Sequence, residues 1–182
     1  MLFSKKIKVE LVDPSLSQFE PFLKKGTINS SGYDLKAISI KGMYHHNNNK
    51  INVTNSGDLM ANTMFKKNGY YDLPPGKRIL IGTNVKFQFP KNVEAEVRSR
   101  SSLPFKKGLI LANGVGTIDN DYIGEIKVAL INTSGVSVRI TQGERIAQIL
   151  FKKSYNPDIE YVKKIDVETK RGSGGFGSSG KF

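Results

Sequence analysis

Apolar residues recur at every second position along most of this chain, and that spacing limits what it can fold into. The alternation runs through residues 7–12, 79–89, 93–97 and 125–131, and a period of two places one face of an extended strand against a core. Turn-forming clusters separate these runs: Pro74-Pro-Gly-Lys77, Pro90-Lys-Asn92 and Thr133-Ser-Gly135. Short strands at intervals of about ten residues imply an all-β barrel or jelly-roll-like sandwich. Helical signals are few. Residues 14–25 fit a turn or two, and residues 144–150 read equally as strand or short helix.

Composition narrows the class. At 182 residues the chain holds about one domain on a prior of ~150 residues each. It has 28 basic and 16 acidic residues, a net charge of +12, which suits an anionic partner. The lysines are spread as pairs at 5–6, 24–25, 66–67, 106–107, 152–153 and 163–164, a solvated surface and not the dense block of a nucleic-acid-binding tail. With no cysteine, disulfides, thiolate metal sites and cysteine nucleophiles are excluded. No apolar run approaches the ~18 residues of a membrane span. Residues 1–6 lack a secretory pattern, so an intracellular, cytoplasmic location is expected.

Two segments depart from the strand texture. Residues 42–72 turn polar and asparagine-rich and carry both histidines, His45 and His46, as in a long exposed loop. Surface residues are the simpler reading of that pair, because no partner ligands accompany them. Residues 168–182 end in Arg171-Gly-Ser-Gly-Gly-Phe-Gly-Ser178, too poor in apolar surface to fold alone. Arg171 and Phe176 are not what a plain linker requires. The expected organisation is therefore a β domain over 1–167, with an insert at about 42–72, and a flexible arm over 168–182.

Candidate chemistry concentrates in the second half. The chain has no Walker A sequence, no Gly-x-Gly-x-x-Gly opening a helix and no His-Glu-x-x-His. Residues 118–125 open like a calcium loop, yet a loop begun at Asp119 would end on Leu130 where a bidentate glutamate is needed. If this segment is extended, Asp119 and Asp121 share a side, and Gly114 and Gly116 allow backbone close to a ligand. Such a hairpin suits recognition of a flat heterocycle and activation of water. Upstream, Arg98-Ser-Arg-Ser-Ser-Leu103 offers groups matched to phosphate oxygens.

Taken in order, Ser31-Gly-Tyr-Asp-Leu-Lys-Ala37, Arg100-Ser-Ser-Leu103, Asn113-Gly-Val-Gly-Thr-Ile-Asp-Asn-Asp-Tyr-Ile-Gly124, Gly143-Glu-Arg-Ile-Ala-Gln148 and Arg171-Gly-Ser-Gly-Gly-Phe-Gly-Ser178 resemble the five motifs of the trimeric deoxyuridine triphosphatase family. The resemblance implies a distorted jelly-roll-like β-barrel, a homotrimer with active sites shared between subunits, and magnesium-assisted hydrolysis of dUTP to dUMP and pyrophosphate. That reaction limits uracil incorporation into DNA and supplies dUMP for dTMP synthesis. Neither nucleic acid nor a membrane is required.

Motif by motif, the resemblance makes Asp119 the residue that orients and deprotonates the attacking water. Asn113, Thr117 and Ile118 belong to the uracil-reading hairpin, and Tyr122 packs on the deoxyribose. Arg100, Ser101 and Ser102 match the phosphate-binding triplet, although glycine often stands third in relatives. Lys127 falls at a substrate-contacting strand position. Asp34 and Gln148 resemble a pair that holds magnesium through water. Arg171 is implied on the γ-phosphate and Phe176 over uracil, with Gly177 and Ser178 completing a lid. The insert at 42–72 is longer than the short connection usual in the family.

Two other readings stand beside this one. A dCTP deaminase would share the fold but needs a strand glutamate where this chain has Ala129. A regulatory or binding module would use the basic surface or the insert.

Overall fold

The structure is a computed structural model, and it describes residues 6–44, 65 and 69–174. Its strands are β1 (Lys8–Leu11), β2 (Lys24–Lys25), β3 (Tyr33–Lys36), β4 (Ser39–Tyr44), β5 (Tyr70–Leu73), β6 (Arg78–Gly82), β7 (Val85–Gln88), β8 (Val93–Arg98), β9 (Leu109–Leu111), β10 (Gly116–Ile118), β11 (Lys127–Asn132), β12 (Val138–Thr141) and β13 (Arg145–Lys153). A 3-10 turn covers Pro14–Phe19, and one short helix, α1, covers Ser102–Lys107.

Two sheets carry the fold. One has the order β10-β8-β13-β3-β2, the other β4-β6-β11-β9, and two ribbons, β1-β7 and β12-β5, flank them. Every pairing is antiparallel. Leu35, Ala95, Val97 and Ile149 from the first sheet meet Ile40, Ile81, Val128 and Leu130 from the second in a continuous core. The result is a jelly-roll-like all-β fold. On β11 the period-two rule is literal: Val128, Leu130 and Asn132 are buried while Lys127, Ala129 and Ile131 are partly exposed.

Several local expectations are refined. The run over residues 79–89 is two strands, because the chain turns at Thr83 and Asn84, where Asn84 has φ of 66°. The Asn84 side chain holds that turn by accepting from Asp13 N at 2.8 Å and donating to Asp13 O at 3.0 Å. The ambiguous 144–150 region is strand β13, paired on both sides by β3 and β8. Helix α1 has no apolar periodicity to announce it. It ends at Gly108, whose φ of 64° is left-handed and suits glycine. Residues 42–44 and 70–72 of the polar segment are strand, whereas His45 and His46 lie outside the described residues. No helix among the described residues is long and apolar enough to cross a membrane.

Candidate active site

Sheet register brings three of the motifs to one level. Asp34 on β3 stands opposite Gln148 on β13, and Gln148 in turn stands opposite Arg98 on β8. Immediately after Arg98 the chain leaves the sheet, and Gln148 Nε2 steadies the exit by donating to Ser99 O at 3.1 Å. Gly32 makes room for this, since a Cβ there would lie 2.7 Å from Gln148 Oε1. Arg100 then turns back over β3. Its Nε lies 2.8 Å from Asp34 Oδ1, and its Nη1 donates to Arg145 O at 3.2 Å.

Arg145 occupies the other oxygen of the same carboxylate, with Nη1 at 3.0 Å from Asp34 Oδ2. A β-bulge between Arg145 and Ala147 shifts the register here, the kind of irregularity that re-aims a side chain. Sequence reasoning gave Arg145 no role of its own. Its place three residues before Gln148 in the same motif was the available signal.

Asp34, Arg100 and Arg145 line a groove of about 630 Å³ that also receives Ser102, Lys24, Lys36 and Lys106. Its walls hold six cationic side chains against the acidic Asp34 and Glu144, so it favours a polyanion. Glu144 fastens α1 to this wall by pairing with Lys107 and accepting from Thr141 N at 3.1 Å. Ser101 is the exposed N-cap of α1, and Ser102 is its first residue, half-buried. No cluster of three or more His, Cys, Asp or Glu side chains suited to a metal occurs among the described residues. Asp34 and Gln148 instead set two oxygen-bearing side chains side by side next to a polyanion groove. That donor set fits magnesium, which keeps its waters and binds mainly through phosphates.

The aspartate motif lies elsewhere on the subunit. Strands β9 and β10 flank a tight turn through Asn113 and Gly114, with Gly114 at φ of 69° and its N–H on Leu111 O at 3.1 Å. Asn113, Thr117 and Asp119 are exposed, and Ile118 is half-buried. Thr117 stands opposite Glu96. Past Ile118 the chain is not extended, as the shared face of Asp119 and Asp121 had required; it turns, with Tyr122 N donating to Asp119 O at 3.1 Å. The Tyr122 hydroxyl donates to Glu125 O at 2.9 Å, and its ring folds back over Gly124.

Ile118 stands opposite Ala95, five positions before Arg100. From Ala95, β8 runs three residues further to Arg98, so at ~3.3 Å per residue the Ile118 end of the hairpin lies roughly 10 Å along the strand from where the chain leaves the sheet toward Arg100. Lys127 stands opposite Gly82 on the outward side of β11. Arg171 is exposed in a turn closed by Gly174 N on its carbonyl at 3.1 Å, and Phe176, Gly177 and Ser178 lie outside the described residues.

A family model described as dUTPase matches residues 66–180, more than half of the chain. The chain belongs to the dUTPase family. The deoxyuridine 5'-triphosphate nucleotidohydrolase of Brucella melitensis biotype 2 is 48% identical over 108 residues, 59% of this chain and 68% of that protein. Among solved structures, the Staphylococcus bacteriophage 80alpha dUTPase with dUPNHPP superposes with a TM-score of 0.70 at 20% identity, covering 96% of this chain and 98% of its own. A point mutant of the dUTPase from phage phi11 of S. aureus, described with a structural Mg(II) ion, has a TM-score of 0.62 at 16% identity, covering 89% and 99%. These two likenesses establish the fold. Family and sequence identity make the chain a dUTPase-type hydrolase, acting on dUTP.

Proposed function

We propose that the chain hydrolyses dUTP to dUMP and pyrophosphate at sites completed by a second copy of itself, in a homotrimer. The observation that carries this is the separation of the Asp119 hairpin from the Arg100 groove within one subunit. A triphosphate bridges only a few ångströms from its α-phosphorus to its γ-phosphate, so a gap of roughly 10 Å along β8 calls for a neighbouring chain. The second half-site then comes from that neighbour.

The groove of Arg100, Ser101 and Ser102 holds the phosphates, and Arg100 enters already oriented by Asp34. Pre-orientation of this kind lowers the cost of reaching the reactive geometry. Asp119 accepts a proton from water as the water oxygen bonds to the α-phosphorus, and the α–β bridging oxygen departs with pyrophosphate. Ser101 donates to that departing oxygen. Asn113, Thr117 and Ile118 read the uracil edge, and Tyr122 packs on the deoxyribose where a 2′-hydroxyl would need room. Lys127 approaches the substrate from the neighbouring strand. Arg171 takes the γ-phosphate with its planar fork, while Phe176, Gly177 and Ser178 close over the base and exclude water. Asp34 and Gln148 are the residues that would hold magnesium, through water, and the ion would supply neutralisation of phosphate charge. In the cell this activity keeps uracil out of DNA and yields dUMP for dTMP synthesis.

Pyrophosphate release from dUTP and magnesium tests the reaction, and Asp119→Asn is expected to remove most of it. Sharing of sites is tested by mixing inactive Asp119→Asn with inactive Arg100→Ala chains under exchange conditions. Mixed trimers should regain partial activity, because some sites then combine two intact halves. Wild-type trimers inert toward dUTP would sink the reaction; failure of mixed trimers to recover would sink the shared site.

A further inference from the structure

We infer that Lys41 and Glu125 are positioning residues, a half-buried ion pair that sets the Tyr122 ring and so the selectivity of the site for deoxyribose. The inference rests on the proposed sugar-reading role of Tyr122. Glu125 Oε2 lies 3.2 Å from Lys41 Nζ, with side-chain exposures of 9% and 17%. The other carboxylate oxygen accepts the Asn84 N–H at 2.9 Å. Both ends of the carboxylate are thereby fixed from β4 and from the β6–β7 turn.

Three features of the chain serve this pair. Lys41 falls where the β4–β6 register slips between Ile40 and Gly42, and the extra residue of a bulge points its side chain off the regular pleat. Gly82 on β6, opposite Ser39, leaves the necessary space: a Cβ there would lie 2.5 Å from Glu125 Oε1 and 2.6 Å from both Lys41 Cε and Ser39 Oγ. Asn84, which donates to the carboxylate, holds a left-handed φ of 66° that non-glycine residues rarely adopt. Burying an ion pair is poor value for stability, since desolvation offsets much of the attraction. Its effect is to fix where the backbone of Glu125 sits.

That backbone is where the sugar-reading ring is tethered. Glu125 O accepts from the Tyr122 hydroxyl, and a Cβ on Gly124 would lie 2.5 Å from that hydroxyl oxygen and 2.6 Å from the ring carbon bearing it. The ring therefore rests on its own loop, located by one hydrogen bond whose acceptor the ion pair anchors. Releasing the anchor lets the ring swing and opens space beside the 2′ position.

The test compares kcat/KM for dUTP and for UTP in wild type, Glu125→Ala, Glu125→Gln and Lys41→Met, with thermal melting and oligomeric state measured on each. In Glu125→Ala and Lys41→Met the dUTP/UTP ratio is expected to fall about tenfold or more, mainly through a gain toward UTP. Glu125→Gln keeps an acceptor for Asn84 N–H and should recover much of the ratio. If wild type itself does not discriminate, the sugar-reading role fails and the inference falls with it. If wild type discriminates and the folded variants discriminate equally, however destabilised, the inference alone is overturned. Should Glu125→Ala fail to fold, Lys41→Met decides by the same ratio.

Discussion

Arg100 Nε sits 2.8 Å from one oxygen of Asp34, which ties the turn after β8 to β3. The second oxygen holds Arg145. One carboxylate thus bridges two guanidinium groups and offsets part of their mutual repulsion across the groove.

Asp34→Ala should therefore weaken both the fold and substrate binding. The Asp34 side chain is 11% exposed, but Arg100 and Arg145 are 24% and 48% exposed. Solvent screening reduces the penalty from that of a fully buried pair to about 1–2 kcal/mol. Urea denaturation measures it, and steady-state kinetics should show KM for dUTP rising about tenfold as Arg100 loses its orientation.

Gly108→Ala strikes the end of α1. The left-handed backbone at φ of 64° strains any Cβ, and that Cβ would lie 2.8 Å from Ser134 Cβ and 3.1 Å from Ser134 N. A backbone neighbour cannot step aside as a flexible side chain can. Stability should fall by about 2 kcal/mol or more, read as a lower denaturant midpoint.

Glu96 on β8 provides a pH signature. Hydrogen bonds from Lys152 and then Arg98 hold its carboxyl below the usual 4.5. A carboxyl depressed on folding contributes stability above its unfolded pKa and loses it as pH falls through the folded value. Glu96→Gln should therefore flatten the decline of melting temperature below about pH 4.5 and leave the profile near neutrality less affected. An unchanged acid limb would count against this network.

Ending the chain after residue 170 should separate fold from turnover. Residues 171–173 are exposed, and the described part of the arm makes only hydrogen bonds within itself, such as Gly172 N to Thr169 O at 3.0 Å. The melting temperature should stay close to that of the full chain. Loss of Arg171 and Phe176 should lower kcat/KM for dUTP at least about a hundredfold.

Local pattern was enough for the strands whose residues alternate cleanly. In β11, and in β8 from Glu94 onward, each side chain's burial follows its parity, so position along the chain predicts which face it takes. It was not enough where the backbone breaks the period. The turn at Asn84, the short helix after Arg100 and the turn after Ile118 depend on hydrogen bonds to Asp13, Thr133 and Glu125, and no periodicity encodes them. Asp34, Arg100, Arg145 and Gln148 were legible as motif members; what Arg145 does, like the roles of Lys41 and Glu125, came from what it touches.

Alternation by itself determined an all-β domain, and motif order the family, because those properties belong to residue types and their spacing along the chain. Tertiary structure decided that Arg145 reaches the Asp34 carboxylate 111 residues away and shares it with Arg100, and that Asp119 stands away from all three. Sheet register and its two bulges made those choices. A shift of one residue sends a side chain to the opposite face, so distant pairings, which no local pattern carries, fix which groups can meet.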